Sequence, residues 1–268
     1  VVVGCASGPR SRVMSAVEQR DAGEALGAYE RYRELDGPDG ELLGYVAGVV
    51  LESTALSDDE RLRDTAIRQL AMSSTMATPI LARVATEGSP RARARALEVL
   101  ARRGGRRAED YLYAMLDSED AEVRAAAIQA VDAERETARL IAWLEDTAGV
   151  VRKAAAIKLA DAAPDTAARL ALAEAARVDP LPPVRGAAAR ALGSYGPDAI
   201  EDLRNRLGDP ESSVRMAAVR AIVRADRERG ARALESLLAS QPSPAGVEAA
   251  RVIALTGRSG GRSSEESE

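Results

Sequence analysis

The chemistry open to this chain is set by what it lacks as much as by what it holds. Among its 268 residues there is no histidine and one cysteine, Cys5. Imidazole acid–base catalysis, histidine-containing triads and histidine metal ligands are therefore excluded. A lone thiol allows neither an intrachain disulfide nor a thiolate cluster. Carboxylates gather at Asp58-Asp59-Glu60 and from Asp117 to Glu122. They could hold a weak divalent cation, but at helix starts they also cap free amides, and capping needs fewer assumptions. No metal site and no cofactor are expected. No nucleotide-binding glycine loop and no calcium loop is written in the sequence.

Seven arginines lie between Arg91 and Arg107 in RARARALEVLARRGGRR. They could form an electropositive patch for phosphate, anionic lipid or nucleic acid, or a solvated helix face. Arg106 and Arg107 are followed closely by Tyr111 and Tyr113. Tyrosine and arginine are favoured at protein interfaces, so Arg106, Arg107, Tyr111 and Tyr113 are the candidate partner-binding residues. Trp143, the single tryptophan, sits in a stripe with Leu140 and Leu144 and is expected to pack in the core.

These residues must be positioned by helices. Apolar residues make up 46% of the chain and are mostly Ala, Leu and Val, with no Phe at all. Such small, helix-favouring side chains suit closely packed helices, and no alternating strand pattern is present. The 37 basic residues, nearly all Arg, against 42 acidic ones leave a net charge of −5. That is not the balance of a nucleic-acid-binding domain, and nucleic acid is an unlikely partner.

A phrase returns along the chain. It reads VRAAAIQAV from Val123, VRKAAAIKL from Val151, VRGAAARAL from Val184 and VRMAAVRAI from Val214, with weaker copies from Leu62, Ala92 and Val247. Successive starts are 30, 31, 28, 33, 30 and 33 residues apart. A period of this length marks stacked helical hairpins. In the copy from Val184, Val184, Ala187, Ala188, Ala191 and Leu192 share one helical face, and the central alanines permit close approach of a neighbouring hairpin. Asp146, Asp179 and Asp209 each precede the Val of their phrase by five residues. Arg124, Arg152, Arg185 and Arg215 fall in the first helical turn, where the macrodipole disfavours a cation.

This pattern resembles HEAT repeats, in particular the short kind related to phycobilisome-lyase repeats. The resemblance implies an all-α fold, a right-handed alpha-alpha superhelix, and a structural role for Arg124, Arg152, Arg185 and Arg215, bonded to carboxylates or carbonyls of turns. It covers residues 58–256. The deoxyhypusine hydroxylases of this class need His-Glu metal motifs, which this sequence cannot supply, and the single terminal Cys gives no support to a phycobilin-lyase role. Residues 12–57 are expected to form an N-terminal helical cap, in which EQRDAGEALGAYERYRELDGPD resembles one tetratricopeptide-like hairpin with Ala25, Leu26, Tyr29 and Tyr32 as its packed stripe. Ser57, three residues before Glu60, has the spacing of a capping box. Residues 257–268 are rich in Gly, Ser and Glu and read as a disordered tail.

Val1-Val2-Val3-Gly4-Cys5 resembles the end of a bacterial lipoprotein signal, where a small residue directly precedes the lipidated Cys. Residues 1–11 would then be a signal remnant and tether, with Cys5 attaching the protein to a membrane at the cell envelope. If the match is accidental, the location is cytoplasmic. Together these features point to a non-enzymatic scaffold that binds a protein partner along its helical surface. The alternative is a nucleic-acid-binding or lyase-like module using the Arg91–Arg107 segment.

Overall fold

The computed structural model describes residues 8–73, 77–238 and 243–257. Cys5 and most of the Gly/Ser/Glu-rich tail lie outside the described residues. Among the described residues there is no strand, and the regular structure is helical throughout. The architecture is the all-α stack of repeated hairpins that the phrase predicts. The chain forms two compact units, divided between Asp117 and Ser118.

The first unit holds α1 (Pro9–Gln19), α2 (Ala22–Asp36), α3 (Gly40–Ala55), α4 (Glu60–Met72), α5 (Ala77–Glu87), α6 (Pro90–Arg102) and α7 (Arg106–Leu116). Consecutive helices pack as hairpins, and α3 also packs on α1 and α5, while α4 packs on α6. Two apolar clusters hold the unit together. One gathers Val13, Ala16, Ala25, Ala28, Tyr29, Leu42 and Val46 from the first three helices. The other joins Ala66, Ile67 and Leu70 of α4 to Leu81 and Val84 of α5 and Ala92 and Ala96 of α6.

Helix starts follow the carboxylates. Asp21 caps α2 through the Glu24 amide, and Asp39 caps α3 through the Leu42 amide. The α4 start corrects the expected capping box. Asp59, not Ser57, accepts from the Arg61 and Leu62 amides, while Ser57 Oγ accepts from the Asp59 amide. A carboxylate two residues nearer the helix is better placed than the hydroxyl to meet free amides. The first hairpin's stripe is also narrower than expected: Ala25 and Tyr29 are buried and Tyr32 half-buried, but Leu26 is exposed.

The second unit holds α8 (Ala121–Ala130), α9 (Thr137–Trp143), α10 (Gly149–Leu159), α11 (Thr166–Val178), α12 (Pro182–Leu192), α13 (Ile200–Arg204), α14 (Ser212–Ala225), α15 (Arg227–Leu238) and α16 (Pro244–Gly257). The phrase-bearing helices α8, α10, α12, α14 and α16 stack on one another in sequence, and the helices between them pack alongside. The phrase explains the stacking. Val184, Ala187, Ala188, Ala191 and Leu192 are all essentially inaccessible, as are Val214, Ala218 and Ile222 one repeat later. Where α12 ends against α14 the approach is close enough to favour glycine: a Cβ on Gly193 would lie 3.0 Å from Ala221 Cα and 3.1 Å from its carbonyl oxygen.

Candidate functional site

The repeated arginines are consumed by structure. Arg152 donates from Nη1 to the carbonyls of Asp146 and Thr147 in the turn before its own helix. Its Nε and Nη2 donate to both carboxylate oxygens of Asp179, in the turn before the next phrase helix, at 2.6 and 3.1 Å. Arg185 repeats the arrangement with the Asp179 and Pro180 carbonyls behind it and Asp209 ahead, at 2.9 Å for each fork contact. Arg124 donates to the Ser118 and Glu119 carbonyls and to Asp146. Arg215 donates to the Asp209 and Pro210 carbonyls. Each guanidinium binds carbonyl oxygens of the turn before its own helix, and Arg124, Arg152 and Arg185 add a carboxylate, which offsets the unfavourable placement in the first turn.

Each turn aspartate has a second task. Asp146, Asp179 and Asp209 accept the backbone N–H two residues on, at 2.8, 2.9 and 2.9 Å. Burial works against the Asp209 carboxylate, but hydrogen bonds from Arg185 and the Glu211 amide outweigh it and hold its pKa below the usual carboxylate range. The fork onto Asp179 raises the pKa of Arg152, and the fork onto Asp209 raises that of Arg185, each against the opposing effect of burial. Tyr195 adds a further tie by donating to the Leu159 carbonyl at 2.8 Å, and burial pushes its hydroxyl up to about 12.

The Arg91–Arg107 segment is largely neutralised in place. Arg91 pairs with Glu60 and Asp64, while Arg95 and Arg102 both pair with Glu98. Arg103 donates to the carbonyls of Leu70, Ala71 and Ser73 and so holds the end of α4. The segment is therefore mainly a set of struts, and the exposed part of the electropositive patch shrinks to its last two residues, Arg93 being half-buried and without an ion pair among the described residues. Arg106 and Arg107 are exposed at the start of α7 and make no ion pair among the described residues. Tyr111, on the same helix, is 65% exposed, whereas Tyr113 is half-buried and engaged in a further interaction. Three of the four expected contact residues are thus available on one short helix.

The first unit also has a groove of about 370 Å³ between α1, α3 and α5, walled by Val17, Tyr45, Val49 and Ile80. Glu52 lies at its floor and is bonded by Arg20 at 3.0 Å and Arg83 at 3.2 Å. Burial, and then the neighbouring Glu87, push the Glu52 carboxyl above its ordinary value even with both arginines beside it. Trp143 departs from the expected core role: it is half-buried, with the Arg139 guanidinium 4.9 Å from its ring centroid. No group of three or more metal-ligating side chains occurs among the described residues. No described helix is long and apolar enough to cross a membrane.

A second surface escaped the sequence reading. On α10, α12 and α14 the face turned from the core carries Lys153, Ile157, Arg190, Arg220 and Arg224, all exposed. Ile157, Arg190 and Arg220 stand at the same place in successive phrases, six residues after the leading Val. That position was readable as a variable column in an otherwise fixed phrase, but the fixed residues drew the reading toward packing.

A family model described as HEAT repeats matches residues 49–132 and 170–256. No curated protein matches the chain. Among solved structures, human deoxyhypusine hydroxylase is 20% identical, with 94% of this chain and 97% of that one covered at a TM-score of 0.40. The complex of CpcE and CpcF of phycocyanin lyase from Nostoc sp. PCC7120 is 21% identical, covering 78% and 94% at 0.41. A designed armadillo repeat protein in complex with the peptide (KR)4 is 18% identical, covering 77% and 98% at 0.43. At these scores none of the three says anything about what this chain binds.

Proposed function

This chain belongs to the HEAT-repeat family, and from that premise we propose that it is a non-enzymatic scaffold that binds a protein partner along its helical surface and is held at a bacterial cell envelope through Cys5. Stacked repeats of this kind are in general non-catalytic protein-binding surfaces. The observation that carries the reading is a division of labour within the repeats. The turn-facing arginines and aspartates are spent on one another and on backbone groups, while variable side chains on the outward faces are left to meet solvent. Binding then comes from area and a few anchors rather than from one pocket. Arg106, Arg107 and Tyr111 on α7 are candidate anchors, with the half-buried Tyr113 on the same helix.

The same reading divides the chain into a tether expected over residues 1–11, of which residues 9–11 already belong to α1, a helical cap over 12–57 with its tetratricopeptide-like hairpin, the repeat array over 58–256 and a tail expected over 257–268, of which Gly257 still closes α16. Attachment rests on Cys5, the single thiol, which directly follows Val1-Val2-Val3-Gly4. The test is to express the gene with whatever sequence precedes Val1 in a related bacterium. The mass of the membrane-fraction protein is then measured beside a Cys5→Ala variant. A diacyl- or triacylglycerol mass on Cys5 that is lost in the variant supports the anchor. An unmodified protein that retains residues 1–4 overturns it and places the scaffold in the cytoplasm.

A further inference from the structure

Basic side chains in the second unit fall into two groups. Most are bonded to a carboxylate or a carbonyl: Arg169 to Asp202, Arg177 to Glu174, Arg204 to Glu201, Arg206 to the Ala176 carbonyl, and Lys158 to Asp161, besides the four repeated arginines. Lys153, Arg190 and Arg224 stand apart. Among the described residues they have no hydrogen bond or ion pair, and all three lie on the outward face of the stacked helices α10, α12 and α14. Arg220 shares that face. Asp161, in the turn after α10, is already bonded by Lys158 at 3.4 Å. In a chain of net charge −5, positive charge is thus left uncompensated over one strip.

We propose that the outward face of α10, α12 and α14 docks an extended acidic segment of a partner protein; this deepens the scaffold reading and rests on it. Exposed guanidiniums favour bidentate capture of carboxylates. Apolar side chains lie among the cations: Ile157 is 40% exposed and Val150 41%, and Met216 is half-buried. That mixture suits a peptide with alternating acidic and apolar residues. It gives the bases of a single-stranded nucleic acid no stacking platform, since the described aromatics of this unit lie elsewhere, Tyr195 buried and Trp143 on α9.

Register sets the spacing of the ligand. Packed helices lie about 8–10 Å apart, and an extended chain advances about 3.3 Å per residue. Lys153, Arg190 and Arg224, one on each of three successive stacked helices, therefore match carboxylates about three residues apart.

The experiment uses the full chain and fluorescence anisotropy. The probe is a fluorescein-labelled peptide of four tandem Glu-Leu-Gly triplets, compared with its Gln-Leu-Gly counterpart. The glutamate peptide is expected to bind at least about tenfold tighter. The double variant R190Q/R224Q, whose exposed substitutions leave the thermal melt in place, is expected to weaken it by about tenfold or more. R31Q/R33Q, at exposed positions of α2 in the other unit, is expected to leave it unchanged. Equal binding of the glutamine peptide, or full affinity in R190Q/R224Q, overturns the proposal. So does a single-stranded oligonucleotide that binds tighter than the peptide and displaces it, which would assign the face to nucleic acid. A random peptide library selected on the same immobilised chain separates the two levels of failure. Recovery of non-acidic peptides overturns the acidic preference and keeps the scaffold, whereas recovery of none counts against both.

Discussion

Arg185 and Asp209 meet fork to fork at 2.9 Å across the junction of two repeats, and the Asp209 side chain is only 3% exposed. Removing the carboxylate leaves a guanidinium without its forward partner in a place with little water, and it also frees the Glu211 amide. Asp209→Ala is expected to destabilise the protein by about 3–5 kcal/mol, the range for breaking one side of a buried ion pair. Urea unfolding followed by circular dichroism measures this. Arg185→Lys keeps the charge but not the fork, so a smaller loss is expected. Equal stability of Asp209→Ala and wild type would show the fork to be energetically idle.

The same pair sets an acid limit. The folded pKa of Asp209 is depressed, so its contribution is complete above the ordinary aspartate value of about 3.9. It is lost as the pH falls through the lower folded value. Stability is expected to drop below about pH 4, with a shallower slope in Asp209→Asn. Glu52 has the opposite sign. Its folded pKa is raised, so ionisation opposes folding as the pH climbs from the ordinary glutamate value through the raised one. Glu52→Gln should therefore cost much less at neutral pH than Asp209→Asn, as parallel urea titrations would show. With no histidine in the sequence, no imidazole adds a transition near neutrality.

Gly193 and Gly44 should respond oppositely to alanine. At Gly193 the new methyl meets backbone atoms of Ala221 at 3.0 and 3.1 Å, which cannot yield without moving α14. Gly193→Ala is expected to cost about 1–3 kcal/mol by overpacking. At Gly44, inside α3, nothing lies within 4 Å of the new atom. Gly44→Ala is expected to gain about 0.5–1 kcal/mol from helix propensity. Thermal melts of the two variants should move in opposite directions.

Much of the fold was legible because the phrase is short-range. Val184, Ala187, Ala188 and Leu192 declare a buried face within nine residues, and Asp209 five residues before Val214 marks the turn. The forward fork was only partly legible. Arg185 and Asp209 are 24 residues apart, and their meeting depends on how one hairpin lies on the next. The sequence also could not show which arginines stay charged toward solvent. Arg103 and Arg106 look alike on paper, yet one holds three carbonyls of the first unit and the other meets water. The exposed strip of Lys153, Arg190 and Arg224 depends on which cations tertiary contacts leave without a carboxylate or carbonyl, and no local pattern states that.

The forks also give the second unit a direction. Arg124, Arg152 and Arg185 each grip backbone behind them and a carboxylate ahead of them, and none is reversed. The series is therefore built like a ratchet, not like a stack of interchangeable plates. A lesion at Asp209 releases Arg185 upstream, while Arg215 downstream keeps its hold on main-chain carbonyls that the lesion does not remove. Damage at one turn accordingly loosens the repeat before it more than the repeat after it, and the array should come apart with a preferred polarity along the chain.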